Sequence, residues 1–155
     1  MPIDIGLTEE QRAQSVQALK KLLGETYALY AKTHGYHWNV TGPRFNELHA
    51  MFMTQYTELW AALDEIAERI RALGSPAPGS YTQFAERASV KEDTTVPKAE
   101  DMIKNLVADF GKVVESARAV VRAGEAAGDD ASVDLGVRRI ELHEKGAWML
   151  GAHLE

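Results

Sequence analysis

The chain has 155 residues, and 17 Lys+Arg against 23 Asp+Glu leave a formal net charge of −6. With 45% hydrophobic and 26% charged residues it is too apolar for a disordered chain, and its length suits one domain over residues 1–155. Cysteine is absent, which excludes disulfides, thiolate zinc sites, iron–sulfur clusters and a cysteine nucleophile, while the acidic balance speaks against a dedicated nucleic-acid binder.

The opening MPIDIGL has neither a basic region nor an apolar stretch of the kind a secretory signal needs. No apolar run approaches the roughly 20 residues of a membrane-spanning helix. No membrane partner and a cytoplasmic location are therefore expected. Gly and Pro cluster at Gly42-Pro43, Gly74–Gly79, Pro97, Gly124 and Gly128, and the stretches between are rich in helix formers. The spacing predicts four long helices, at about 8–36, 43–73, 97–124 and 129–151.

Thr8 with Gln11 forms a capping box for the first helix. Pro43 and Pro97 suit the opening turns of the second and third, and Asp129 and Asp130 can cap the last. An apolar stripe runs along the second through Phe45, Leu48, Phe52, Leu59, Leu63, Ile66, Ile70 and Leu73, and along the third through Ile103, Leu106, Val107, Phe110, Val113, Val114, Ala117, Val120 and Val121. The first and third joints are short, so each flanking pair should be an antiparallel hairpin. Residues 74–96 form a far longer connection, with a short helix expected near Tyr81–Ala88. Such a crossover marks an all-α, ferritin-like four-helix bundle rather than a plain up-down one.

The second helix carries a further stripe. His49, Met53, Trp60, Asp64 and Glu68 lie within about a third of its circumference, rotated roughly 100° from the apolar one. Asp64 and Glu68, four apart, stack their carboxylates on one side, the geometry in which two oxygens bind one cation. His49 precedes Asp64 by fifteen residues, roughly 22 Å along a helix axis. The two cannot ligate one metal within a chain. They can if two copies cross antiparallel about a two-fold axis near Tyr56–Trp60, so a metal site here belongs to a dimer interface. The competing interpretation of these carboxylates is a solvated helix face. A di-iron site inside one bundle would need Glu-x-x-His on two helices, and no such motif occurs; Glu141-Leu142-His143-Glu144 has the wrong spacing.

The run Tyr30-Ala31-Lys32-Thr33-His34-Gly35-Tyr36-His37-Trp38-Asn39-Val40-Thr41-Gly42-Pro43, followed by Phe45-Asn46-Glu47-Leu48-His49 and by Leu63-Asp64-Glu65-Ile66-Ala67-Glu68-Arg69, strongly resembles the signature of the Dps family, the dodecameric mini-ferritins. The resemblance extends over nearly the whole chain. It implies a ferroxidase centre shared by two subunits, with His37 and His49 from one chain and Asp64 and Glu68 from its partner. Iron would be oxidised there from Fe(II), preferably by hydrogen peroxide, and mineralised inside a hollow shell, so that the protein stores iron and protects against oxidative stress. Imidazole and carboxylate suit iron in both oxidation states, though zinc or manganese suits the same set. One position departs from the family pattern: Met53 stands where an acidic residue is usual. A thioether is a poor substitute for a carboxylate toward ferrous iron, so the expectation is that Met53 only packs and the second iron, near His49, is held weakly.

Around this set, Trp38 could pack against the centre, quench stray oxidants or anchor an interface. His34 and His143 are expected to serve packing. Asp129, Asp130 and Asp134 open the last helix, where ferritin-like shells place acidic pores that attract cations. The alternative function is DNA binding and nucleoid protection, which some Dps proteins achieve with lysine-rich tails. Here no Lys or Arg precedes Arg12 and none follows Lys145, so DNA binding is not expected. A third alternative is a helical scaffold that assembles without doing chemistry.

Overall fold

The computed structural model describes residues 3–155. Four long helices, α1 (Glu9–Asn39), α2 (Phe45–Ala72), α4 (Ala99–Ala127) and α5 (Asp130–Gly151), form the bundle, and a short α3 (Tyr81–Arg87) lies in the connection between α2 and α4. A 3-10 turn over Ala152–Leu154 follows α5. Helix α1 packs on α2, α4 on α5 and α1 on α4, while α3 lies along α1. This is the ferritin-like arrangement, with hairpins α1–α2 and α4–α5 joined by the long crossover. Among the described residues no helix is long and apolar enough to cross a membrane.

Local chemistry accounts for the ends. Thr8 accepts from the Gln11 amide at 3.2 Å, and the Gln11 side chain accepts from the Thr8 amide at 2.8 Å. The expected positions of Pro43 and Pro97 shift slightly. Both lie just outside their helices, which open after Arg44 and Lys98; Pro43 sits inside the turn that the Phe45 amide closes on the Gly42 carbonyl. Gly124 does not end α4. The helix continues to Ala127 and stops at Gly128, whose φ of +68° provides the left-handed cap. Gly124 is there for space: a Cβ would lie 2.8 Å from Val133 Cγ2 and 3.1 Å from the Asp129 carbonyl oxygen.

The core is aliphatic and runs the length of the bundle, with Leu19, Leu22, Leu29, Leu48, Phe52, Ile66, Ile70, Ile103, Leu106, Val113 and Val120 buried. Polar contacts fasten the crossover to it. Glu25 of α1 is fully buried and accepts from the Ser89 amide, the Ser89 hydroxyl and the Val90 amide at 2.5–2.9 Å. Burial works to raise its carboxyl, but these hydrogen bonds and Lys21 outweigh it and hold the group below the ordinary range. Eleven residues further along, the Tyr36 hydroxyl donates to Asp93 at 2.6 Å and accepts from Asn105 at 3.0 Å. The residue beside His37 is thereby tied to both the crossover and α4.

Candidate metal centre

The turn between α1 and α2 builds the site. Helix α1 extends past the expected 36 to Asn39, so His37 sits on its last turn, and the reversal through Gly42 (φ +111°) brings His49 of α2 against it. Only a residue without Cβ reaches that φ cheaply. The two imidazoles stack, with centroids 3.8 Å apart and planes 13° from parallel. His37 Nδ1 lies 2.6 Å from the His49 carbonyl oxygen, and His49 Nδ1 lies 2.7 Å from the His37 carbonyl oxygen. A carbonyl can only accept, so both Nδ1 atoms carry a proton, and in this tautomer of the imidazole Nε2 is the atom with the lone pair. This reciprocal pair of bonds fixes tautomer and ring orientation in the way metal-ligating histidines require. Phe45 stacks on the His49 ring at 4.9 Å, and Tyr56 meets the His37 ring edge-on at 5.1 Å.

His37 is buried, 7% exposed, and His49 is half-buried. Asp64 and Glu68 are exposed, on the α2 face that also carries Met53 (51% exposed) and Trp60 (62%). Among the described residues no three His, Asp or Glu side chains converge on a point that could hold a metal. Within one chain the structure brings His37 to His49 and leaves the Asp64–Glu68 pair further along the helix. The subunit thus carries a pair of imidazoles and, apart from it, a pair of exposed carboxylates. The expectation that Met53 packs is not met inside the chain, where its thioether stands on the same exposed face.

The ferritin-like domain family model matches residues 16–155. The chain is 39% identical to a low temperature-induced protein of Nostoc, over 99% of this chain and 87% of that protein. It is 33% identical to the DNA protection during starvation protein of Porphyromonas gingivalis, over 96% and 93%. The crystal structure of the Dps protein from Vibrio cholerae superposes with a TM-score of 0.94 at 34% identity, covering 99% of this chain and 97% of that one; that protein is described as a member of the ferritin-like diiron-carboxylate superfamily. The chain belongs to the Dps family.

In this Dps subunit, the donor set suits iron as a substrate: two imidazoles oriented through Nδ1, with Nε2 left as the donor atom, and two exposed carboxylates, all hard or intermediate donors. Trp38 is 66% exposed and meets His34 at 4.0 Å, not the His37 ring. His34 in turn stacks on Tyr56 at 4.2 Å, and burial together with the neighbouring His37 lowers its pKa.

The acidic trio at the head of α5 divides. Asp129 is buried; its carboxylate accepts from the Ser132 amide at 3.1 Å and pairs with Arg69 at 2.6 Å. Burial pushes its pKa up, and the Ser132 bonds and the Arg69 charge outweigh that push, leaving it below the ordinary value. Asp129 thus fills the capping role expected of it. Asp130 and Asp134 are exposed, Asp134 alongside Arg138 at 3.0 Å.

The interior of the bundle holds an ion pair that sequence reasoning missed. Arg139, 2% exposed, makes a two-pronged contact with Glu58 at 2.5 and 2.9 Å, and its Nη2 lies 3.3 Å from His143 Nε2. Burial and the Arg139 charge push His143 down to about 3, so it is neutral and accepts that hydrogen bond. A fixed guanidinium thus occupies the space between α2 and α5. The available signal was the i, i+4 spacing of Arg139 and His143; nothing local pointed to Glu58, 81 residues away.

Proposed function

We propose that two copies of the chain pair through the Met53–Trp60 face of α2, and that His37 and His49 of one subunit with Asp64 and Glu68 of the other form a ferroxidase centre. The observation that carries this reading is the reciprocal His37–His49 clasp, which engages both Nδ1 atoms and leaves both Nε2 atoms without a protein partner, while among the described residues no carboxylate joins the two rings in a three-ligand group. The roughly 22 Å between His49 and Asp64 along α2 demands a second chain. The exposed Trp38, Phe45, Met53 and Trp60 around the half-sites give that chain an apolar surface to cover.

In this function Asp64 and Glu68 offset the positive charge that grows as Fe(II) becomes Fe(III), and the imidazoles remain neutral donors. Two ferrous ions supply two electrons to hydrogen peroxide; with two protons the products are two ferric ions and two waters, without hydroxyl radical. The ferric product is stored as mineral in a shell of twelve subunits, in the cytoplasm, where it limits oxidative stress. DNA binding is the reading with less support, since a chain of net charge −6 repels phosphate.

The test compares wild type with His37→Ala on addition of Fe(II) and peroxide, followed by ferric absorbance and by particle-bound iron. Rapid oxidation and retained iron in the wild type, both lost in the variant, are expected. Equal rates would remove the centre and leave a scaffold. In a low-salt gel-shift assay, free DNA is expected, and a stable shifted band would return the nucleoid reading.

A further inference from the structure

Four of the five tyrosines form one connected series of rings that starts at the His37 ring and ends in solvent. Tyr56 meets His37 at 5.1 Å, Tyr30 lies 6.2 Å from Tyr56, Tyr27 lies 6.0 Å from Tyr30, and Tyr81 lies 6.1 Å from Tyr27. Trp60 joins the series at Tyr30, 5.4 Å away. All these separations fall within the 4.5–7 Å over which aromatic rings interact directly. Tyr81 at the far end is 79% exposed, on the crossover helix α3, whereas Tyr56 is half-buried. Only Tyr36 stands apart, its ring 6.4 Å from Phe52 and its hydroxyl held by Asp93 and Asn105. Phe84, stacked on Tyr27 at 4.3 Å, extends the ring contacts on the side of the crossover helix.

Phenol and indole are the side chains that give up one electron most readily, and peroxide needs two. On the ferroxidase reading above, Met53 in place of a carboxylate leaves the second iron with one hard donor fewer than the first. When peroxide arrives at a singly loaded centre, one electron is missing. We propose that Tyr56 supplies it, and that the Tyr56–Tyr30–Tyr27–Tyr81 series carries the resulting oxidising equivalent from the iron site to the surface of the crossover. This rests on the ferroxidase reading above and adds a second electron source to it.

The step balances as follows. Hydrogen peroxide, one Fe(II) and the Tyr56 phenol yield Fe(III), hydroxide, water and the Tyr56 phenoxyl radical; the O–O bond breaks, iron and phenol each lose one electron, and the phenolic proton ends in the water. The hole then moves along the series as each phenoxyl recovers an electron and a proton from the next phenol. At Tyr81 a ferrous ion from solution, with one proton, restores the phenol and becomes Fe(III). The two ferrous ions are consumed as in the ordinary reaction, but the second never has to occupy the centre.

The experiment loads the assembled protein with one Fe(II) per centre, adds peroxide, freezes within milliseconds and records the electron paramagnetic resonance spectrum, with a spin trap for hydroxyl radical in a parallel sample. A tyrosyl signal in the wild type, its loss in Tyr56→Phe together with a rise in trapped hydroxyl radical, and a longer-lived signal in Tyr81→Phe are expected. Met53→Glu, which restores a carboxylate for the second iron, should lower the tyrosyl yield when two Fe(II) per centre are supplied. A wild type that oxidises Fe(II) without any tyrosyl signal, or a signal unchanged in Tyr56→Phe, overturns the proposal while leaving the ferroxidase intact. A wild type that oxidises no Fe(II) overturns the reading beneath it. Circular dichroism confirms that Tyr56→Phe remains folded, and if it does not, Tyr30→Phe, which breaks the series one ring further out, must confine the radical to Tyr56 or the proposal fails.

Discussion

His143 offers a quantitative check on the closed interior of the bundle. Its imidazole is pushed down to about 3 by burial and by Arg139, against an ordinary value of 6.5. Between about pH 7.5 and about pH 5.5 the unfolded chain therefore takes up a proton that the folded chain refuses. The folded-state value is lowered, so this residue costs stability as the pH falls through 6.5. Integrating the linkage over that interval gives a loss of about 1.4 kcal/mol. The lowered carboxyls of Glu25 and Asp129 titrate below their ordinary 4.5 and 3.8 and stay outside the window. His34, also lowered, contributes a slope common to wild type and variant. In His143→Gln the amide oxygen can still accept from Arg139 Nη2, and nothing titrates there. Urea unfolding followed by tryptophan fluorescence at the two pH values should show the wild type losing about 1.4 kcal/mol more than the variant. Equal losses would mean that folded His143 accepts a proton, and the tight Arg139–Glu58–His143 arrangement would be wrong.

Two further outcomes follow from residues already placed. Met53→Glu should raise the Fe(II) bound per subunit pair, measured by anaerobic titration, because a carboxylate replaces a thioether at the second iron; identical stoichiometry would show that Met53 never weakened that site. Glu25→Gln leaves the Ser89 and Val90 donors poorly matched and should cost about 1–3 kcal/mol at neutral pH. That difference should shrink as the pH falls below 4.5, since the lowered carboxyl contributes only while ionised. A thermal shift that is the same for both proteins at neutral and acid pH would contradict the clamp.

Much of the fold is readable from the chain because its punctuation is local. Thr8 with Gln11, the Gly74–Gly79 stretch and the apolar stripes act within a few residues of where they stand, and the helices fall within about three residues of their expected limits. The exceptions have tertiary causes. Gly124 looks like a helix end but is a site of close approach to α5, and the Arg69 partner of the Asp129 cap stands 60 residues away along the chain. The candidate site was half legible. Spacing along α2 shows that His49 and Asp64 cannot meet on one ion within a chain, whereas the reciprocal bonds of His37 and His49 depend on how the Gly42 turn closes. The tyrosine series was not legible at all, since Tyr56 and Tyr81 approach it from different elements.

The shared centre is tested most directly by mixing two inactive subunits. His37→Ala and Asp64→Ala are each expected to abolish Fe(II) oxidation, measured as the initial rate with peroxide. Co-assembled from equal amounts, half of the two-fold pairs are mixed and each mixed pair rebuilds one of its two centres, so about a quarter of the wild-type rate should return. No recovery in assemblies shown to contain both subunits would contradict a centre built from two chains.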